Sequence, residues 1–217
     1  TAKRVLEQEV LAQNAPDGVN REQALWYQQF VLDMLMLCLL AGKANGQWFS
    51  PDYEARIEAM LDFIASVMDA GGNVPMIGDA DDGMATGISP GGSPFRSLLG
   101  LGALLFGRGD FKLKAGGLDD RARWLLGEGA DAQFERLDAE RTRLPLRRTF
   151  PEGGYYVLGC EFETPREIRD DAVQVLPQQF RVEHTNVSAC ERKHTALEAL
   201  APAHEQRGRE HEADQYA

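Results

Sequence analysis

The chain has 217 residues, a length that suits one large domain or one domain with an additional segment. Its formal charge of -11 at pH 7 disfavours general nucleic-acid binding, because that affinity comes mainly from Lys and Arg side chains that neutralise phosphates. Cys38, Cys160 and Cys190 have no CxxC or Cys/His ligand spacing, so the sequence predicts neither a disulfide framework nor a zinc site. Cys38 is expected to be an ordinary core thiol.

Hydrophobic periodicity predicts three helices in the first third of the chain. The first covers residues 2–13, and the second covers residues 21–43 with Asn20 as its cap. The third begins at Ser50-Pro51, a typical cap followed by a proline in the first turn. Its predicted core positions are Ile57, Met60, Leu61, Ile64, Val67 and Met68. Short links between these helices suggest antiparallel hairpins.

The longest apolar run does not predict a membrane span. It covers residues 31–41, is interrupted by Asp33, and is shorter than the roughly 20 residues that cross a bilayer. A buried helix is the expected structure. The first ten residues are amphipathic rather than typical of a signal peptide, and the chain does not begin with Met, which leaves the question of export open.

The periodicity disappears between residues 71 and 92, in the Gly-rich, acidic segment GGNVPMIGDADDGMATGISPGG. Long loops inside compact domains are often functional. Helical patterns return in residues 93–107, 121–126 and 132–137, and TFPEGGYYVLG then has the pattern of a β-hairpin. The predicted organisation is a helical body over residues 1–146, the start of a β region over 147–169, and a polar, frayed or disordered tail over 170–217.

Most sequence motifs for catalysis or cofactor binding fail in this chain. The segment GLGALL departs from the dinucleotide fingerprint, and GDADDG breaks the calcium-loop pattern at its fifth and sixth positions. The four histidines all lie in the tail at spacings that form no HExxH motif, so neither a metal nor another cofactor is predicted. What remains is an acid/base site without histidine, for which the candidates are Glu22, Tyr27, Asp79, Asp81 and Asp82.

Three segments resemble the heparinase II/III-like family of polysaccharide lyases in their order and spacing. They are QNAPDGVNREQALWYQQFVLD, NVPMIGDADDG and FPEGGYYVLG, and the resemblance covers about residues 1–169. It implies a mainly α fold, an incomplete α/α toroid of helical hairpins, followed by a β-sandwich that starts near FPEGGYYVL. It also implies β-elimination at a uronic acid in an acidic polysaccharide or oligosaccharide, in the periplasm or cell envelope.

On this resemblance Tyr27 matches the catalytic tyrosine that follows the family's DG...E motif. In the predicted helix Asn20, Gln23 and Tyr27 lie three and four residues apart, which would place them on one face near the N-terminus. The predicted substrate-binding residues are Asn20, Arg21, Glu22, Gln23 and Asp79. Tyr155 and Tyr156 are expected to pack in a strand.

The resemblance also implies residues that are not found in this sequence, namely an upstream Asn or His and a downstream catalytic His. The chain is therefore expected to be a fragment of a lyase with little activity by itself. Two other functions stay open. One is a non-catalytic module for carbohydrate binding or exopolysaccharide assembly, and the other is an α/α-toroid glycoside hydrolase that uses Glu22 and an Asp of the 79–82 loop as its carboxylate pair.

Overall fold

The computed structural model describes residues 2–69, 71–79, 83, 85–86, 88, 92–139, 149–158 and 174–177. This part of the chain is mainly helical, as the sequence predicts. Its seven helices are α1 (Ala2–Gln13), α2 (Leu25–Ala44), α3 (Pro51–Val67), α4 (Pro94–Phe106), α5 (Gly109–Ala115), α6 (Asp120–Leu126) and α7 (Ala130–Arg136). Its three short strands are β1 (Thr149–Phe150), β2 (Tyr155–Leu158) and β3 (Gln174–Pro177).

Helix α3 forms as its sequence predicts. Ser50 is the N-cap, and its hydroxyl accepts a hydrogen bond from the Tyr53 N–H at 3.3 Å. Pro51 occupies the first turn, where its missing N–H has no intrahelical partner to lose. All six predicted core positions of this helix are fully buried. The apolar stripe of α3 therefore lies in the centre of the core, where α3 contacts α1, α2 and α4.

Helix α2 begins at Leu25 rather than at residue 21, so the predicted start and cap are wrong. Its N-cap residue is Ala24, which provides no side-chain cap. Gln23 has a φ of 58°, a left-handed conformation that ends any right-handed helix at this point. Asn20 and Gln23 therefore lie outside the helix and do not share a helical face with Tyr27.

By length and composition alone, α2 could cross a membrane. Its most apolar 18-residue window has a mean hydropathy of 1.4, and 44% of that window is buried within the protein. A core helix passes the same test, and Leu32, Met36 and Leu39 are fully buried here. The helix is thus compatible with the predicted absence of a membrane span. Its length and hydropathy are only weak evidence for such a span.

Close contacts between α3 and its neighbours shape the core. The Phe63 ring packs edge-on against Phe150, with ring centroids 4.9 Å apart, and tilted against Tyr155 at 5.3 Å. On α4, a Cβ added at Gly102 would lie 2.6 Å from a methyl carbon of Leu61. A residue without a side chain is therefore what allows α4 to approach α3 this closely.

The predicted β-hairpin is confirmed. β1 pairs antiparallel with β2, with Thr149 opposite Tyr156 and Phe150 opposite Tyr155. Tyr155 is buried, as expected for strand packing. β2 also pairs antiparallel with β3, which lies inside the stretch 170–217 that the sequence assigns to a polar tail. The other residues of that stretch, with all four histidines, lie outside the described residues, as do Cys160 and Cys190.

Candidate functional site at the start of helix α2

The turn before α2 is a buried network of amide side chains. Asn20 donates from Nδ2 to the Asn14 Oδ1 at 2.9 Å, and its own Oδ1 accepts from the Glu22 N–H at 2.9 Å. The Gln28 Oε1 accepts from the Asn20 N–H at 2.9 Å, and Gln28 Nε2 donates to the Gly18 carbonyl at the same distance. Asn20, a predicted substrate-binding residue, is only 2% exposed and lies within this hydrogen-bond network.

The β-hairpin docks on the same turn. The Asp17 Oδ2 accepts from the Gly153 N–H at 2.9 Å, and Gln23 Nε2 donates to the Gly153 carbonyl at 3.0 Å. The Tyr155 hydroxyl donates to the Gln23 carbonyl at 3.0 Å, and burial raises the pKa of Tyr155 to about 12. The side chain of Gln23, although exposed, thus hydrogen-bonds the hairpin.

Two further predicted binding residues, Arg21 and Glu22, lie at the surface. Arg21 donates from Nε to the Ala12 carbonyl at 2.8 Å, near the end of α1. An arginine in this place hydrogen-bonds an otherwise unsatisfied carbonyl of the last helical turn and favourably faces the helix dipole. This contact gives Arg21 a structural role, whereas the Glu22 side chain is accessible to solvent.

Tyr27 and Asp79, by contrast, are brought together. Tyr27 lies in the first turn of α2, and its hydroxyl is 3.4 Å from the Asp79 Oδ2, a long hydrogen bond between residues 52 positions apart. The Leu25 N–H, at the helix start, donates to the Ile77 carbonyl at 3.0 Å. Gly78 has a φ of 70°, and a Cβ there would lie 2.7 Å from the Ala24 Cβ. Glycine therefore lets the loop cross the helix start and place Asp79 beside Tyr27.

Further described residues of the same loop contact the first half of α2. A Cβ at Gly83 would lie 3.4 Å from the Phe30 ring, and the Ala85 N–H donates to the Asp33 Oδ2 at 3.2 Å. We call the described residues 77–79, 83 and 85–86 the α2-facing loop. Asp81 and Asp82, two of the predicted acid/base candidates, lie outside the described residues.

A buried ion pair at the far end of this loop was not predicted from the sequence. Arg121 of α6 donates from Nη2 to the Asp33 Oδ1, and the two side chains are only 6% and 5% exposed. Arg121 also donates from Nε to the Thr86 hydroxyl at 2.7 Å and from Nη1 to the Ser97 hydroxyl at 3.3 Å. Burial raises the pKa of Asp33, while the Arg121 charge and the Ala85 N–H oppose that rise. The signal in the sequence was an Asp inside an apolar run.

Beside the ion pair is a small cavity of about 20 Å³, enough for one water molecule. Gln29 lines it and is 1% exposed, and within the described part of the chain its Oε1 has no hydrogen-bond partner. The cavity is too small for a sugar ring.

Among the residues that the structure describes, no group of three or more His, Cys, Asp or Glu side chains is placed to hold a metal ion. A scan against protein-family models and searches of the curated proteins and of the solved structures found no match to this chain. The start of α2 presents a tyrosine hydroxyl and a carboxylate together at an accessible surface.

Proposed function

We propose that this chain is part of a polysaccharide lyase, similar to the heparinase II/III-like family, that cleaves an acidic polysaccharide by β-elimination. The observation that supports the proposal is the Tyr27 hydroxyl 3.4 Å from the Asp79 carboxylate. Each residue comes from a different one of the segments that resemble the family. Two residues chosen from sequence segments far apart thus meet at one accessible position.

The reaction needs a proton donor of this kind. A base removes the proton from the carbon next to the uronate carboxylate, and the electron pair forms a carbon–carbon double bond as the bond to the glycosidic oxygen breaks. Tyr27 would give its hydroxyl proton to that leaving oxygen. Asp79 accepts the hydroxyl's hydrogen bond before substrate arrives and so orients the phenol. The negative charge that develops on the uronate needs separate donors, which the family resemblance assigns to residues outside this sequence.

The finer features of the fold belong to the same proposal. The helices would form part of an incomplete α/α toroid over residues 1–146, and the strands would begin a β-sandwich. Support comes from the way the hairpin docks on the turn before α2 through Asp17 and Gln23. The periplasm or cell envelope is the proposed location, because acidic polysaccharides are found there.

A non-catalytic carbohydrate-binding module is the second candidate function. Trp48 is 64% exposed and Trp124 is 74% exposed, so each presents a ring to solvent. Aromatic rings at protein surfaces offer a large apolar face with a polar edge, which suits contact with a sugar ring. A carbohydrate-binding module requires no proton transfer at Tyr27.

The two functions differ in where a sugar binds. We would titrate the isotope-labelled chain with uronate oligosaccharides and with neutral oligosaccharides of the same length, and follow the backbone amide and tryptophan indole N–H resonances. The lyase proposal expects uronate-specific shifts at residues 25–30 and 77–79, which are weakened by Tyr27→Phe but not by the matched change Tyr156→Phe. Shifts that centre on the Trp124 indole and vanish in Trp124→Ala would favour the binding module instead. The absence of any uronate-induced shift near Tyr27 would contradict the lyase proposal.

A further inference from the structure

We propose that Asp33 and Arg121 are positioning residues that hold the α2-facing loop and thereby set Asp79 beside Tyr27. The inference rests on the proposed role of Tyr27 and Asp79 for its functional meaning. Its structural content is independent of the substrate, because it concerns only how the loop is held in the free protein.

Both members of the ion pair bind the loop as well as each other. Each carboxylate oxygen of Asp33 accepts a different hydrogen bond. Oδ1 accepts from Arg121, and Oδ2 accepts from the Ala85 N–H of the loop. The Arg121 guanidinium donates hydrogen bonds to Asp33, to the Thr86 hydroxyl of the loop and to the Ser97 hydroxyl of α4. The N–H groups of a planar guanidinium point in fixed directions. These bonds therefore fix α2, the loop and α4 relative to one another.

Stability alone does not account for such a pair. Two buried charges lose their hydration, and well-packed apolar side chains of similar size often replace a buried ion pair without loss of stability. Apolar side chains, however, offer nothing to the Ala85 N–H or to the Thr86 hydroxyl. What the charged pair adds here is a directional attachment of the loop to α2 and α6.

Described residues on both sides of Asp79 are held by contacts with the helices. Before Asp79, the Ile77 carbonyl accepts from the Leu25 N–H, and Gly78 lies against Ala24. After it, Ala85 and Thr86 are held by the ion pair. The Tyr27–Asp79 contact is long at 3.4 Å, and a bond of that length contributes little by itself. The anchors on either side therefore limit where the Asp79 carboxylate can lie.

The experiment reads the Tyr27–Asp79 contact directly in the full chain. Tyrosines are labelled with ¹³C at Cζ, and the Tyr27 resonance is assigned by its loss in Tyr27→Phe. Asp79→Asn then gives the resonance position for a Tyr27 without its carboxylate neighbour. In the double variant Asp33→Leu/Arg121→Met, we expect cooperative unfolding to persist while the Tyr27 resonance moves toward the Asp79→Asn position. An unmoved Tyr27 resonance in a folded double variant would overturn the proposal, as would a Tyr27 resonance that Asp79→Asn leaves unchanged.

Two further variants keep the test decisive. Arg108→Met breaks a different ion cluster, in which Arg108 contacts Glu58, Asp62 and Asp110, and it should not move the Tyr27 resonance. If the double variant does not fold, Thr86→Val removes only the hydroxyl on the loop side and should still move the resonance in the same direction. No movement in Thr86→Val would then count against the proposal. Failure of the lyase proposal is a separate result. In that case uronates do not bind near Tyr27, although the Tyr27 resonance shows that its contact with Asp79 is intact.

Discussion

The Asp17 carboxylate accepts a hydrogen bond from the Gly153 N–H at 2.9 Å and so joins the turn before α2 to a β-hairpin 136 residues later. The first and third of the segments that resemble lyases meet at this bond. The second segment meets the first where Asp79 approaches Tyr27. Segments that are separated in the sequence therefore converge around the start of α2.

The hairpin contact predicts a steric effect at Gly153. A Cβ there would lie 2.2 Å from the Val19 Cβ, far inside normal contact, so Gly153→Ala should lower the free energy of unfolding by about 1–3 kcal/mol. Urea unfolding measures the loss. Gly117→Ala is the control, because a Cβ there meets nothing within 4 Å, and it should change stability by about 0.5 kcal/mol at most. Val19→Gly removes the Val19 Cβ and both of its methyl groups, so the loss in the double variant Val19→Gly/Gly153→Ala should be smaller than the sum of the two single losses. Strict additivity would show that the clash is not the cause.

Lys114 predicts a rise of stability with pH. It is buried and donates from Nζ to the Met68 carbonyl, and burial lowers its pKa to about 8, with Asp69 opposing the shift in part. The folded protein releases this proton near pH 8, whereas the unfolded chain keeps it until about pH 10.5. The free energy of unfolding should therefore rise by about 1–2 kcal/mol between pH 8 and pH 9.5, relative to the variant Lys114→Met. Comparison with that variant cancels the contributions of other titrating groups. Parallel curves for the two proteins would contradict the prediction.

Tyr27→Phe separates a catalytic tyrosine from a structural one. The change keeps the ring and removes the hydroxyl, so the free energy of unfolding should fall by at most about 0.5–1.5 kcal/mol. In a protein that joins this chain to the family's upstream and downstream residues, turnover should fall about a hundred-fold or more, with kcat affected more than KM. Ultraviolet absorbance of the unsaturated product gives the rate. Turnover close to that of the unchanged protein would leave Tyr27 as a residue at the rim of the core.

Glu22→Gln tests the hydrolase alternative in the same protein. A hydrolase that uses Glu22 in its carboxylate pair should lose nearly all activity, because the amide can neither accept nor donate the proton. A tyrosine-based lyase should be weakened only slightly, since Glu22 lies at the surface and, among the described residues, the hydrogen bond it makes is from its backbone N–H to Asn20. Reducing sugar released without ultraviolet absorbance would identify hydrolysis in this assay.

The 217-residue chain by itself should form little or no unsaturated product. The family resemblance assigns the donors that stabilise the negative charge of the transition state to residues that this sequence does not match, and loss of one such donor typically costs about a hundred- to thousand-fold in rate. The measurement is product absorbance over long incubation with several uronate polymers, with Tyr27→Phe as the blank. Robust product formation by the unchanged chain would show that these residues already contain a complete site.

The sequence located the hairpin and the helix α3 well because the signals were local. Ser50-Pro51 specifies a helix start, because the serine hydroxyl caps the helix and the proline ring suits its first turn. The Gly-Gly pair before Tyr155 specifies a chain reversal, because glycine adopts the backbone angles that turns require. The short α5 was not predicted, because seven residues carry too little periodicity to stand out. The start of α2 was misplaced because Asn20 resembles a helix cap in the sequence. In the structure its side chain bonds Asn14, six residues away, and the Gln23 side chain bonds Gly153, 130 residues away.

What the sequence by itself determined was the helical content, the buried face of α3, and the choice of Tyr27 and Asp79 as candidate site residues. Their meeting was decided by the tertiary structure, since it depends on Gly78 passing over Ala24 and on the Leu25 N–H finding the Ile77 carbonyl. The partner of Asp33 was decided in the same way, because Arg121 lies 88 residues away. Apolar periodicity records which side of an element faces the core, whereas a hydrogen bond or an ion pair between distant residues leaves no periodic trace and exists only once the chain has packed.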